Sequence, residues 1–167
     1  MHLNLVRALG AVIRHNGPRP AMLDVARTYT WNEFGERVGR GAGALQGLGV
    51  AKGARFAVLA RNGFRQEELK WAGFWLGAVP VPVNWRLAPP EIAHILADSE
   101  ASCLLVENHF QSVVDHPAMA AWKDKATVIG DIAGPTVGGY EELLARAAPP
   151  PPAAPAPADD AMLIYTG

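Results

Sequence analysis

The sequence predicts an α/β fold with a mostly parallel sheet and flanking helices. Short apolar strand patterns alternate with helical patterns, and the segments between strands are long enough for crossover connections. The strand pattern 56–60 is apolar at every position, as expected for a strand covered on both faces of a parallel sheet. The chain has 167 residues, of which 50% are apolar and 19% charged, the balance of an ordinary globular domain.

Charge and cysteine content exclude several classes of protein. The formal net charge is −1, which gives no basic footprint for nucleic acid. The sequence contains a single cysteine, Cys103, so neither an internal disulfide nor a cysteine-based metal cluster can form. We therefore expect a reducing, cytoplasmic location. No run of 18 or more apolar residues occurs, so we expect no transmembrane segment.

The first 23 residues allow two interpretations. Three arginines and no acid occur in residues 2–23, which a transit peptide would share. The alternative is an amphipathic helix over residues 3–15, ended by Asn16-Gly17-Pro18. We favour the helix, because Arg7 breaks any secretory core and no small-residue cleavage pattern follows.

The next part of the chain predicts a hairpin and a long helix. Two β-prone pieces form the hairpin: 21–25 and 27–30. Thr30 and Glu33 match a capping box at the start of a helix whose apolar residues recur every three or four positions up to Leu48. That helix has two pairs of residues at the spacing of an i,i+4 ion pair: Glu33–Arg37 and Glu36–Arg40.

The middle and end of the chain continue the alternation. A strand over 55–60 leads through a turn to a helix over 64–76, whose second half is apolar nearly all round and should be buried. Five elements then follow residue 90: a helix over 91–99, a strand over 102–107, a helix from Asn108 to about Trp122, a strand over 127–130 and a helix over 140–147.

Residues 77–87 form the most distinctive stretch. Valines at positions 79, 81 and 83 alternate with Pro80 and Pro82. Alternation at period two predicts a strand, and the two prolines restrict it to an edge or irregular position, because each removes a ladder donor. This strand should deliver Asn84 and Arg86 to the rim of the sheet.

We divide the chain into three parts. Residues 1–147 form an N-terminal α/β subdomain. Residues 148–158 consist entirely of alanine and proline, which predicts a semi-rigid linker. Residues 159–167 contain an apolar strand, beginning at Ala161, that stops at the polar tip Thr166-Gly167.

Three predicted strands end in polar groups: Asn62, Asn84–Arg86 and Thr166–Gly167. In parallel sheets ligands bind beyond the carboxyl ends of the strands. Arg86 could meet a phosphate there or pair with a local carboxylate such as Glu91, and spacing alone leaves both open. The terminal Tyr-Thr-Gly could begin a phosphate loop or end an ordinary strand.

We assign no catalytic residue and no metal ligand from the sequence. No nucleophile elbow and no complete phosphate loop are present. The spacing of His109, Asp115 and His116 fits no common metal motif, and a solvated helix is the simpler interpretation. Cys103 lies in the middle of a predicted strand, which favours a core position over a nucleophile.

Four motifs, in order, resemble those of adenylate-forming acyl-CoA synthetases, and the resemblance runs nearly end to end. They are Thr28–Phe34 (TYTWNEF), Leu48–Asn62 (LGVAKG followed by RFAVLARN, with Ala54 where Asp is usual), Gly77–Leu87 (GAVPVPVNWRL) and Asp160–Gly167 (DAMLIYTG). Each motif alone is weak, and their shared order and spacing make the resemblance strong.

The resemblance implies a fatty-acid or other acyl-CoA ligase fold and a two-step reaction. A carboxylic acid and ATP with Mg²⁺ would give an acyl-adenylate and pyrophosphate, and the CoA thiol would then displace AMP. It also implies that Thr166 and Gly167 begin the ATP phosphate loop and that Arg86 contacts a CoA phosphate, as in some relatives. The acid itself is not identified by these residues.

The same resemblance sets expectations for these 167 residues alone. The remainder of the phosphate loop, the acyl pocket and the mobile C-terminal domain are not among them, so we expect no adenylation by this chain. The alternative is a non-catalytic binding or scaffold domain with this fold. An exposed apolar terminal strand would also favour homo-oligomer formation.

Overall fold

The computed structural model describes residues 4–24, 27–130, 139–156 and 158–166. Its α-helices are α1 (Leu5–Asn16), α2 (Trp31–Gly47), α3 (Phe64–Leu76), α4 (Pro89–Asp98), α5 (Gln111–Val114) and α6 (Gly139–Arg146). Its strands are β1 (Pro20–Leu23), β2 (Thr28–Thr30), β3 (Arg55–Leu59), β4 (Val79–Pro82), β5 (Leu104–Val106) and β6 (Ala126–Val128). Two 3₁₀ segments flank α5: Asn108–Phe110 and Pro117–Lys125.

A parallel four-stranded sheet organises the fold, with strand order β4-β3-β5-β6. In the central strand β3, Arg55 pairs with Val79 of β4 and Ala57 pairs with Leu104 of β5. Strands β1 and β2 form a separate antiparallel hairpin. The predicted α/β class with a mostly parallel sheet and flanking helices is therefore confirmed.

Strand β4 lies at an edge of the sheet, which is one of the two positions that the sequence allows. Val79 and Val83 donate their amides to carbonyl groups on the β3 side, at 2.9 Å each. Pro80 and Pro82 occupy the alternate positions, so their nitrogens face the outer edge and the ladder with β3 loses no donor. This geometry explains how two prolines fit into a four-residue strand.

The core lies on both faces of the sheet. Side chains on β3 alternate between the two faces, as a strand requires. One face packs against α2, α3 and α6 through buried residues that include Leu45, Phe56, Val58, Leu69 and Leu144. The other packs against α4 and the segments after β5 through residues that include Ala57, Leu59, Val81, Ile92 and Trp122.

A third cluster joins the hairpin to α1, α2 and α3. Phe34 and Phe64 are buried in it, and the ring of Tyr29 stacks on Phe64 at a centroid distance of 3.9 Å. The predicted full burial of the second half of α3 is wrong, because four residues there are only partly buried: Trp71, Phe74, Trp75 and Leu76. Part of their apolar surface therefore remains accessible.

Helix α2 begins with the predicted capping box. The Thr30 hydroxyl accepts a hydrogen bond from the Glu33 amide at 3.2 Å, and the Glu33 carboxylate accepts one from the Thr30 amide at 2.8 Å. These bonds satisfy two backbone donors that the first turn of a helix would otherwise leave free. The donors hold the pKa of the Glu33 carboxyl below its usual value, the Thr30 amide foremost.

A buried carboxylate ties α2, α3 and α6 together. Glu68 of α3 is 0% exposed and accepts hydrogen bonds from Arg37 and from the Tyr140 hydroxyl, the latter at 3.0 Å. Arg37 also pairs with Glu141 at 2.7 Å. Burial raises the pKa of Glu68, while Arg37 and Tyr140 oppose this by stabilising the charged carboxylate.

The predicted ion pair Glu33–Arg37 is wrong. Arg37 faces Glu68 instead, because a fully buried carboxylate without a cation costs more than an exposed helical pair gains. Glu33 pairs with Arg27 at 2.6 Å. The other predicted pair of this helix is confirmed, with a separation of 3.2 Å: Glu36–Arg40.

The helix predicted from Asn108 to about Trp122 is broken into three short segments. A 3₁₀ turn leads into α5, which ends at Val114, and a second 3₁₀ helix begins at Pro117. Proline cannot continue an α-helix, and it disfavours helical backbone at the residue before it, which here is His116. A helical segment does begin at Asn108, as predicted, but the proline limits its length.

The Ala/Pro strap, which we define as residues 147–156, packs on the helices. The Trp75 indole donates a hydrogen bond of 2.8 Å to the Pro150 carbonyl, and the Ala153 amide donates one of 2.7 Å to the Trp75 carbonyl. The residues predicted as a linker are therefore docked where the structure describes them. The division of the chain at residue 147 stays a prediction.

The terminal segment lacks the strand predicted from Ala161. Residues 160–166 have no assigned strand, and one backbone bond connects them to the sheet, from the Leu163 amide to the Pro80 carbonyl at 3.1 Å. A single bond to a proline-containing edge does not make a ladder. Gly167 lies outside the described residues.

Candidate functional site

The polar residues that follow two of the predicted strands meet at one end of the sheet. Asn62, Asn84 and Arg86 line an open cavity of about 560 Å³, which we call the Arg86 cleft, together with Trp85 and Tyr165. The carboxyl ends of neighbouring parallel strands converge here, as the fold class requires. The structure thus brings together polar groups that the sequence placed on separate strands.

Asn84 shapes the corner that follows β4. Its side-chain oxygen accepts a hydrogen bond from the Arg86 amide at 3.1 Å, and its carbonyl accepts one from the Leu87 amide at 3.2 Å. A side-chain oxygen bonded to the backbone two residues on forms an Asx turn. This turn sends the chain away from the sheet edge and leaves both Asn84 and Arg86 exposed.

Arg86 does not pair with Glu91. The Glu91 carboxylate accepts a hydrogen bond from the Ala88 amide at 2.7 Å, at the start of α4. The Arg86 guanidinium carbon instead lies 4.2 Å from the centre of the Trp85 ring. Among the described residues no ion pair to Arg86 is formed, so its charge remains available in the cleft.

Trp85 stands on a buried aromatic residue. Its ring stacks on Phe110, with centroids 5.8 Å apart and planes inclined by 29°. Phe110 belongs to the core cluster on the α4 face, and Trp85 packs against that cluster while remaining partly exposed. The aromatic support beneath Arg86 is therefore continuous with the core.

Thr166 lies beside the Arg86 cleft rather than in it. It lines an adjacent groove of about 500 Å³ with Asn84 and His94, and Tyr165 lines both cavities. The Tyr165 hydroxyl donates a hydrogen bond of 2.6 Å to Asp98 at the end of α4, and this bond raises the pKa of Tyr165. Tyr165 thereby ties the terminal segment to α4.

Sequence reasoning missed an ion pair beneath the cleft. Glu107, which is 2% exposed, follows β5 and accepts hydrogen bonds from the Arg61 amide at 2.8 Å and from its Nε at 2.9 Å. The pair holds the turn that carries Asn62. The pair could have been predicted only from the strand order, because Arg61 and Glu107 follow strands β3 and β5, which are neighbours in the sheet. The sequence does not specify that order.

Other residues weighed from the sequence have structural roles. Burial raises the pKa of the Cys103 thiol to about 11, which suits a core residue and not a nucleophile. His116 Nδ1 accepts a hydrogen bond from the Ala118 amide at 3.1 Å, and Asp115 pairs with Lys123 at 3.5 Å. Within the described ranges, no group of three His, Cys, Asp or Glu residues could hold a metal ion.

Among the described residues, no helix is both long enough and apolar enough to cross a bilayer.

Two curated ligases and one solved structure illustrate the similarity to known proteins. Over 111 residues the chain is 37% identical to the fatty acid–[acyl-carrier-protein] ligase ScoC of Streptomyces coeruleorubidus, covering 66% of this chain and 21% of that protein. It is 36% identical over 111 residues to the long-chain-fatty-acid–CoA ligase FadD13 of Mycobacterium tuberculosis, with the same two coverages, 66% and 21%. The chain thus spans about a fifth of the length of these relatives.

The fold also has a counterpart among solved structures. The N-terminal domain of FACL13 from Mycobacterium tuberculosis superposes with a TM-score of 0.83 at 28% identity, covering 99% of this chain and 42% of that one. A family model described as AMP-binding enzyme matches residues 10–167. The resemblance carried by the four sequence motifs is confirmed, and the chain belongs to the AMP-binding enzyme family.

Proposed function

We propose that this chain is the N-terminal part of an ATP-dependent acyl-CoA ligase that acts on a small-molecule carboxylic acid. The whole enzyme would join the acid to AMP and then transfer the acyl group to the thiol of CoA. The family match supports this reaction class, and the curated ligases named above act on fatty acids. The observation that carries the proposal is the exposed guanidinium of Arg86, which forms no ion pair with any residue that the structure describes and lies in a cleft at the carboxyl ends of the strands.

Arg86 suits a contact with a phosphate of CoA. A guanidinium is always charged and presents several donors in a fixed plane, which matches phosphate oxygens. The exposed amide of Asn84 adds a further polar group at the same rim. An acyl-carrier-protein acceptor, as in the name of the Streptomyces relative, would present a phosphopantetheine arm with a single phosphate. CoA adds the phosphates of its adenosine part and so offers Arg86 more phosphate groups to contact.

Thr166 suits the start of an ATP phosphate loop. Its side chain is exposed beside Asn84, and the anchored Tyr165 places it there. When bound, ATP would supply the adenylate and pyrophosphate leaving group. Gly167, the next predicted loop residue, lies outside the described ones. The described residues offer no cluster suited to Mg²⁺, so we assign it no ligand in this chain.

The test of the CoA contact is Arg86→Ala in the full-length enzyme. Removing a charged hydrogen bond is expected to raise the Michaelis constant for CoA about tenfold. The adenylation half-reaction, followed by ATP–pyrophosphate exchange, should be spared because CoA takes no part in it. The matched control is pantetheine as acceptor, for which wild type and variant should be equal. An unchanged response to CoA would refute the assignment.

We further propose that these 167 residues alone do not catalyse adenylation. The carboxylate pocket and most of the phosphate loop would be supplied by other residues of the full enzyme. Purified chain should therefore show no ATP–pyrophosphate exchange with any fatty or aromatic acid. Robust exchange by the pure chain would overturn this proposal and leave the ligase assignment intact.

Two secondary proposals concern assembly and location. Met162 and Ile164 are 37% and 57% exposed, which favours self-association of the isolated chain. Light scattering at two concentrations tests this, and a concentration-independent monomer mass would refute it. The lone, buried Cys103 supports a cytoplasmic location, which fractionation of cells would test.

A further inference from the structure

Arg86 has little in its own surroundings to fix its position. Its side chain is exposed, and among the described residues it has no ion pair. A long cationic side chain in water samples many rotamers, so a ligand that needs its guanidinium must first order it. The contact that the structure gives the guanidinium is the Trp85 ring, with a carbon-to-centroid distance of 4.2 Å.

Trp85, in contrast, is held on several sides. Its ring stacks on Phe110, which is 6% exposed and part of the core. The backbone on either side of Trp85 is fixed by the Asx turn, in which the Asn84 side-chain oxygen accepts a hydrogen bond from the Arg86 amide at 3.1 Å. The place of the indole is therefore set by the core and by the turn.

We propose that Trp85 is a positioning residue that holds the Arg86 guanidinium over its ring and so presents it in the cleft ready for an anionic ligand. This inference rests on the proposed function only in taking that ligand to be CoA. A cation over an indole face is attracted by the ring and loses rotamer freedom before the ligand arrives. The ordering cost is then met during folding instead of during binding.

The arrangement makes Phe110 the second member of the support. The ring under the guanidinium is that of Trp85, and the ring of Phe110 packs against Trp85 and limits the tilt of the indole. The 3₁₀ turn after the buried strand β5 fixes Phe110, Phe110 supports the Trp85 ring, and the ring in turn restricts the exposed guanidinium of Arg86. A leucine at position 85 would keep apolar packing on Phe110 but offer no ring face to Arg86.

The experiment uses the full-length protein with Trp85→Leu, Trp85→Phe, Arg86→Ala and the double variant Trp85→Leu/Arg86→Ala. Melting temperatures first establish that each variant folds. The Arg86 Nε–H resonance, assigned by its absence in Arg86→Ala, reports position directly. In the wild type it should carry an upfield ring-current shift, which Trp85→Leu abolishes and Trp85→Phe partly retains.

Calorimetry with CoA measures the consequence for binding. Trp85→Leu should weaken CoA affinity about two- to fivefold, the range expected for an exposed cation–π contact. In the Arg86→Ala background the same substitution should have no further effect, because its influence passes through the guanidinium. An equal loss in both backgrounds would show that Trp85 contacts the ligand itself and would overturn the proposal.

The two proposals fail in different ways. If Trp85→Leu leaves the Arg86 resonance unchanged, Trp85 does not position the guanidinium, whatever CoA binding shows. If the resonance moves as expected but Arg86→Ala leaves CoA affinity unchanged, positioning is supported and the CoA assignment is refuted.

Discussion

The indole nitrogen of Trp75 donates a hydrogen bond of 2.8 Å to the carbonyl oxygen of Pro150, across 75 positions of sequence. This bond pins the Ala/Pro strap to α3. Trp75→Phe keeps most of the apolar surface and removes the donor, so we expect a loss of about 1 kcal/mol in the free energy of unfolding. Hydrogen exchange should also rise in the strap, including at the Ala153 amide.

The control for this variant is Trp71→Phe in the same helix. Trp71 is likewise partly buried, and the hydrogen bond to Pro150 belongs to Trp75. Strap exchange should therefore stay at the wild-type rate. Equal exchange rates in both variants would show that the Trp75 bond does not dock the strap.

A glycine of α2 makes room for the strap. A Cβ atom at Gly43 would lie 2.3 Å from the carbonyl oxygen of Ala148, a backbone atom that cannot move away alone. We expect Gly43→Ala to destabilise the fold by about 1–3 kcal/mol, the usual cost of overpacking. Gly47→Ala is the matched control, because a Cβ there meets nothing within 4 Å. Urea unfolding should show the control unchanged or more stable, since alanine favours helix.

The two arginines of α2 should differ greatly in importance. Arg37→Leu leaves the fully buried Glu68 without its cation, which is expected to cost about 3–5 kcal/mol of folding free energy. Arg40→Leu breaks the exposed pair with Glu36 and should cost at most about 1 kcal/mol. Chemical denaturation of both variants checks the contrast. Similar losses would mean that Glu68 finds other partners or takes up a proton at little cost.

The capping box predicts a pH-dependent stability. Thr30→Ala should cost about 1 kcal/mol, with Thr30→Ser close to wild type. The folded state lowers the pKa of Glu33 below 4.5, so the ionised carboxylate stabilises the folded chain. That contribution is present above about pH 4.5 and is lost as the pH falls through the folded-state pKa.

Comparing wild type with Glu33→Gln isolates this charge. The glutamine keeps an oxygen at the capping position, so the difference in melting temperature reports ionisation. We expect the wild type to melt higher at pH 7 and the two curves to approach each other as the pH falls below 4.5. A gap that stays undiminished down to the lowest pH at which both proteins still fold would contradict the assignment.

Local signals predicted much of this fold, and long-range partners were the limit. The capping box of Thr30 and the proline alternation of β4 are short patterns that allow few local structures, and both appear in the structure. The choice of Glu68 by Arg37 depends on how α3 packs on α2, which helical spacing does not encode. The break at Pro117 could have been predicted, because the proline was visible in the sequence.

In the candidate site, too, local features were predicted and a long-range contact was not. The strand ends identified Asn62, Asn84 and Arg86, and the parallel sheet brings them into one cleft. The support of Trp85 by Phe110 could not be anticipated, because it joins residues 25 positions apart through a 3₁₀ turn that the helical prediction had obscured.

Because Pro80 and Pro82 lack an N–H group, the outer edge of β4 presents hydrogen-bond acceptors at these two positions but no donors. Pro80 offers a carbonyl oxygen there, which the Leu163 amide takes, and neither proline offers an N–H. A segment that joins this edge must therefore contribute the donors itself. Ordinary strands, which need to donate and accept in turn, find only half of their bonds satisfied. The outer edge can therefore accept a hydrogen bond from a segment that only donates, such as the terminal segment. It disfavours pairing with a complete further strand, which is how exposed sheet edges aggregate.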